Sequence, residues 1–143
     1  MGQWGSGPGV VEFPDGRRIR GFGLRHARPD IAVPEFAVYL LGRDPGPQPW
    51  EYRWVRWRDF RRPSSTAEAV AALREARERA ADQRVEIACK GGVGRTGTAV
   101  ALLAVLAGVP APDAVAWTRA NYHRRAVETR GQRRWISDAA AML

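Results

Sequence analysis

A single cysteine and a single lysine are all that this 143-residue sequence holds of either residue. Alone, Cys89 cannot close an internal disulfide, which fits a reducing compartment. No run of 18 apolar residues occurs, so no membrane span is expected. The opening MGQWGSGPGV lacks the basic-then-apolar layout of a secretory signal, and the expected location is cytoplasmic. His26 and His123 stand apart, and no Cys/His spacing points to zinc, so no metal is expected. Acidic residues are also scarce, 15 against 23 basic ones, for a formal charge of +8. All the basic residues except Lys90 are arginines, spread over GRRIR, RWRDFRR, REARER and YHRR rather than massed in one tail. With the abundance of Ala, Gly and Pro, this looks like the usage of a GC-rich genome. Such a field steers anionic substrates without identifying one, so a nucleic-acid partner is permitted but not favoured.

What is present is enough for one core. Hydrophobic residues make up 45% of the chain, and no repeat or linker divides it, so a single domain over 1–143 is expected. Residues 1–16, glycine-rich before the turn at Pro14–Gly16, read as an irregular arm. Short β-prone stretches follow at 17–24 and 35–41, with the loop RDPGPQP after the second, and the aromatic EYRWVRW reads as a half-buried strand. The period then changes. Ser65 with Glu68 three residues later is a capping-box pattern, and Ala69, Leu73, Ala76 and Ala80 share a face, which predicts a helix over 66–81. RVEIAC predicts a central strand. TGTAVALLAVLAG predicts a buried helix stopped by Gly108. Pro112 and Asp113 open a further helix to about Arg125, and Thr129 another to near Leu143. The sum is α/β: a central mixed sheet flanked by helices.

Between that central strand and that buried helix lies CKGGVGRTG. Glycines at such a junction can serve close packing alone, but that leaves Cys89, Arg95 and Thr96 unexplained. The stretch also resembles the deviant Walker A loop K-G-G-V-G-K-T of partition-type ATPases. That chemistry needs a lysine on the β- and γ-phosphates and a downstream strand ending in an Mg²⁺-binding Asp. Arg95 occupies the lysine position, and no such strand follows.

Counted from the cysteine, the same residues read Cys89, five residues, Arg95, Thr96. This resembles the Cys-x5-Arg-Ser/Thr loop of the cysteine-dependent protein tyrosine phosphatases. The physics suits each position. The amides of Lys90, Gly91, Gly92, Val93, Gly94 and Arg95 can ring a phosphate, with glycines supplying positive φ. Arg95 offers two parallel charge-assisted hydrogen bonds. The following helix points its positive end at the anion, and the same amides favour a thiolate at Cys89. Thr96 can hydrogen-bond the cysteine sulfur.

Two further segments carry the resemblance, which spans roughly Trp54 to Trp135. WRDFRRP, Trp57 to Pro63, is similar to the family's W-P-D-F-x-x-P loop, with Arg58 in place of the first proline; the likeness implies that Asp59 is the general acid. ETRGQRRW, Glu128 to Trp135, is similar to Q-T-x-x-Q-Y-x-F, with Glu128 in place of the first glutamine. It implies that Gln132 helps orient the hydrolytic water. Ala88 stands where the family usually has a histidine, and no counterpart of the phosphotyrosine-stacking loop is legible. The resemblance, closest to compact bacterial tyrosine or dual-specificity phosphatases, implies hydrolysis of phosphotyrosine on a protein, or of a small phosphomonoester, through a phosphocysteine and without a cofactor. Two alternatives stay open: a phosphoinositide or RNA 5′-phosphatase of the same chemistry, and a phosphate-binding module without turnover. Oligomeric state is not legible.

Overall fold

The computed structural model describes residues 3–28 and 32–143. Five strands, β1 (Val10–Glu12), β2 (Arg18–Gly23), β3 (Phe36–Leu41), β4 (Glu51–Arg56) and β5 (Val85–Cys89), form one mixed sheet in the order β1-β2-β5-β3-β4. Only the β1–β2 pair is antiparallel. Strand β5, flanked on both sides and buried at every position, with its one charged residue Glu86 paired to Arg20, is central, as expected.

The helices are α1 (Thr66–Arg79), α2 (Gly94–Leu106), α3 (Ala114–Asn121) and α4 (Arg130–Ala140). None among the described residues is long and apolar enough to cross a membrane. Helix α1 begins where Ser65 accepts a hydrogen bond from the Glu68 N–H. Helix α4 carries a complete capping box, Thr129 with Gln132.

The two faces of the sheet differ. Alternate residues Phe36, Val38 and Leu40 of β3 and Val85, Ile87 and Cys89 of β5 join the main core with all four helices. Ala37, Tyr39 and Ala88 turn to the opposite face, where loops and strand residues such as Phe22, Trp50 and Tyr52 cover them and no helix contributes. The period of two in a strand makes that division. Cys89 thus faces the helical layer, while Ala88 faces away.

Two expectations need correction. Within the arm expected over 1–16, residues 1 and 2 lie outside the described residues, but residues 10–12 are strand β1, paired with β2. Trp4 is buried and donates from Nε1 to the Val85 carbonyl at 2.7 Å. Glycines obscured a short edge strand whose stability comes from its partner. The helix expected from Pro112 to about Arg125 is instead a 3₁₀ turn at Ala111–Asp113 and then α3, which stops at Asn121. There Tyr122 leaves helical geometry and its ring packs against the backbone of Gly21 in β2.

Candidate active site

Strand β5 ends at Cys89 and α2 begins at Gly94, so the glycine-rich stretch turns within four residues at the C-terminal edge of the parallel strands, the usual place for a ligand crevice in such sheets. The turn needs Gly92 at φ +75°. A Cβ there would overlap the Gly23 backbone, so only glycine lets the loop lie on β2. The loop is also tied to β2's extension: Leu24 N–H donates to the Cys89 carbonyl at 2.9 Å and Arg25 N–H to the Lys90 carbonyl at 3.0 Å.

Cys89, 2% exposed, accepts two hydrogen bonds at sulfur, from the Gly92 N–H at 3.2 Å and from Thr96 Oγ1 at 3.0 Å. Thr96 thus lies within hydrogen-bond reach of the sulfur. Helix α2 has no side-chain cap and no acidic residue in its first turn. Its N-terminal amides keep their hydrogens for whatever occupies the cleft, and its dipole favours an anion there. Arg95 is almost fully buried. Its Nη1 donates to the Trp57 carbonyl at 3.0 Å, and its Nε, buried and without an acceptor among the described residues, lies 3.6 Å from Asp59 Oδ1. A guanidinium so anchored by one nitrogen presents the rest of its fork in a fixed direction.

The Trp57–Pro63 loop closes on itself by a bridge between its end residues and by Trp57 Nε1 donating to the Arg61 carbonyl at 2.6 Å. Trp57 is fully buried and meets Trp135 of α4 edge to face, ring centres 5.3 Å apart. Asp59 and Phe60 stand out at the tip, Phe60 at φ +62° and 59% exposed.

These segments enclose a cleft of about 330 Å³ whose lining includes Cys89, Arg95 and Asp59. Gly91, Val93 and Gly94 of the loop also line it. Lys90 points to solvent outside it and Gly92 turns its N–H inward to the sulfur. Gln132 does not line the cleft. Fully buried, its Oε1 accepts from the Glu128 and Thr129 N–H groups and its Nε2 donates to the Arg61 carbonyl at 3.3 Å. The water-orienting role implied for Gln132 does not fit that placement: its amide is committed to capping α4 and bracing the Asp59 loop. Glu128 does line the cleft, and a Cβ on Gly94 would overlap its carboxylate.

Three contributors were not legible in sequence. Arg25 and His26 reach the cleft wall only because β2 runs beside β5. Tyr122 donates from its hydroxyl to the Gly92 carbonyl behind the loop. Its one sequence signal is weak: Gly21 within a strand, which marks a close approach.

The family model for protein-tyrosine phosphatase matches residues 24–138, reaching thirty residues further toward the N-terminus than the motifs alone. Among solved structures, the chain is similar to Tk-PTP in its active form, with TM-score 0.72, 22% identity and coverage of 95% of this chain and 99% of that one. It is also similar to DUSP15, with TM-score 0.59, 14% identity and coverage of 74% and 69%. The kinase associated phosphatase KAP gives 0.56, 19%, 66% and 56%. At these identities the structural likeness speaks for the fold. No curated protein matches the sequence.

Proposed function

The chain belongs to the protein-tyrosine phosphatase family, and on that premise we propose that it hydrolyses phosphotyrosine through a phosphocysteine intermediate. The observation that carries the reading is the Cys89 sulfur, held by Gly92 N–H and Thr96 Oγ1 beside the uncapped start of α2 and the buried Arg95. In the first step the Cys89 thiolate forms the S–P bond as the P–O bond to the phenol breaks. Asp59 gives its proton to the departing oxygen. Arg95 and the loop amides hold the equatorial oxygens, a preorganised field that needs no rearrangement during transfer. In the second step a water oxygen bonds to phosphorus and gives its proton to Asp59. The S–P bond breaks, and Thr96 Oγ1 receives the returning thiolate with a hydrogen bond. Gln132 enters as a brace on the Asp59 loop through Arg61. Lys90 contributes its backbone and its field rather than a cleft contact.

One observation favours a broader substrate range of the same chemistry. Beside the cleft, and sharing Phe60 with it, lies a groove of about 740 Å³ lined by Arg56, Arg58, Arg61 and Arg62 and by no acidic residue. Arg62 pairs with Asp138, whereas the other three have no carboxylate partner among the described residues. A phosphoinositide or an RNA 5′-phosphate brings further anionic groups that such a groove would attract. Rapid-quench kinetics with an aryl phosphate test the common chemistry. A burst of phenol stoichiometric with Cys89, with phosphate trapped on that residue, is expected. Binding without phenol release would leave a phosphate-binding module. A substrate panel of phosphotyrosine and phosphoserine peptides, phosphoinositide and 5′-phosphorylated RNA then ranks the classes, with phosphotyrosine expected first.

A further inference from the structure

The phosphate loop is braced from behind by a residue outside all three motif segments. Gly92, at φ +75°, is the point where the loop turns, and both of its backbone polar groups are engaged. Its N–H donates to Cys89 Sγ, and its carbonyl accepts the Tyr122 hydroxyl. That hydroxyl is the one donor to the carbonyl among the described residues. The two groups belong to adjacent peptide planes joined at Gly92, a residue with little steric restriction of its own. Fixing the carbonyl plane anchors one side of Gly92 and so narrows the set of loop conformations in which the N–H can turn away from the sulfur. The neighbouring sequence makes room for this contact. A Cβ on Gly21 would overlap the Tyr122 hydroxyl, and one on Gly23 would overlap the Gly91 carbonyl. The side chain just before the cysteine supplies no such support, since Ala88 is a methyl group on the opposite face of the sheet. Burial, foremost, together with the nearby Cys89 and Glu86 charges, pushes the Tyr122 phenol up from its ordinary range. The hydroxyl keeps its proton and remains a donor.

We propose that Tyr122 is a positioning residue for the nucleophile: its hydroxyl clamps the Gly92 carbonyl and thereby aims the Gly92 N–H at Cys89, favouring the thiolate. The inference rests on the reading of Cys89 as nucleophile, but its primary test does not require turnover. Cys89 is the sole thiol, so its alkylation by iodoacetamide reports thiolate character directly. Tyr122→Phe keeps the ring that fills the space and removes only the donor. Below neutral pH its alkylation should slow roughly tenfold, and kcat/KM for an aryl phosphate should fall by a similar factor. This is the fold-change expected for one buried hydrogen bond left unmade. At a pH high enough to ionise the thiol in both proteins, the two should alkylate alike. A role in packing alone would lower the melting temperature and leave the pH dependence of alkylation unmoved. Gly21→Ala, whose Cβ would overlap the Tyr122 hydroxyl and ring edge and so push both off the Gly92 carbonyl with the tyrosine retained, should shift alkylation in the same direction and decides the matter if Tyr122→Phe does not fold. Folded Tyr122→Phe with low-pH alkylation within twofold of the parent overturns the proposal. If the parent shows no turnover with any substrate, the phosphatase reading fails while the alkylation comparison still judges the brace.

Discussion

The Cys89–Thr96 loop and the Trp57–Pro63 loop face each other across the cleft and are built on opposite plans. The first grows from the central strand into a buried helix. It is tied on one side to β2's extension and on the other to Tyr122, and Lys90 alone among its residues is exposed. The second hangs from β4 at the sheet edge. It is anchored at its base by Trp57, Pro63 and the Arg61 carbonyl, while Arg58 through Arg62 are exposed. The contrast follows from what each must do in the proposed reaction. A cradle for a phosphoryl group works by being fixed before the charge arrives. A proton donor must admit the substrate first and close on it afterwards, which suits an exposed tip on a rigid base.

The largest break in this contrast should come at the fixed loop. Cys89→Ser should lower turnover by roughly 10⁴ or more, because a hydroxyl in the same nest is far harder to ionise. Phosphate or vanadate binding, read by calorimetry, should survive. Residual turnover above a few per cent would argue against a covalent route.

Next comes the exposed loop. Asp59→Asn should slow phosphotyrosine hydrolysis by roughly 10² to 10⁴, and the loss should shrink as the leaving phenol becomes more acidic. A phenol series measures the trend directly. Equal losses across it would mean that Asp59 only shapes the loop, and the distinction between fixed cradle and exposed acid would fall with it.

Arg95→Lys should cost roughly 10² to 10³ in kcat. The charge remains, but the Trp57 carbonyl anchor and the planar fork are both lost. Near-parental kcat in this variant would show that the cleft needs only a positive charge.

The smallest effect tests the anchor. Gln132→Ala removes half of the α4 capping box and the bond to the Arg61 carbonyl. A stability loss of about 1–2 kcal/mol is expected, visible as a melting temperature lower by roughly 3–8 °C. Aryl phosphate turnover should fall less than for Asp59→Asn. An unchanged melting temperature would remove Gln132 as a brace.

The strand–loop–helix junction around Cys89 was legible because it is local. Cys89, Arg95, Thr96 and the glycines sit within eight residues, and strand, turn and helix each leave their own period there. The capping pair Ser65 with Glu68 and the helix start at Thr129 were legible for the same reason. The likeness to the family's loop implied a role for Gln132 that its placement does not suit. Gln132 fits both a water-orienting role and an N-terminal cap, and its burial beneath the Arg61 carbonyl selects the cap. Strand β1 was hidden because an edge strand of three residues takes its stability from the neighbour it pairs with.

By itself, then, the sequence determined the α/β order, the buried helix behind the cysteine and the glycine-rich turn between strand and helix, since these depend on residues within one or two turns of each other. Only the tertiary structure decided that Arg25 and His26 share the cleft, that Glu128 rather than Gln132 lines it, and that Tyr122 holds the loop from thirty residues away. Those contacts exist because parallel strands from distant parts of the chain end side by side. Which side chains meet there is set by register and burial, not by spacing along the chain.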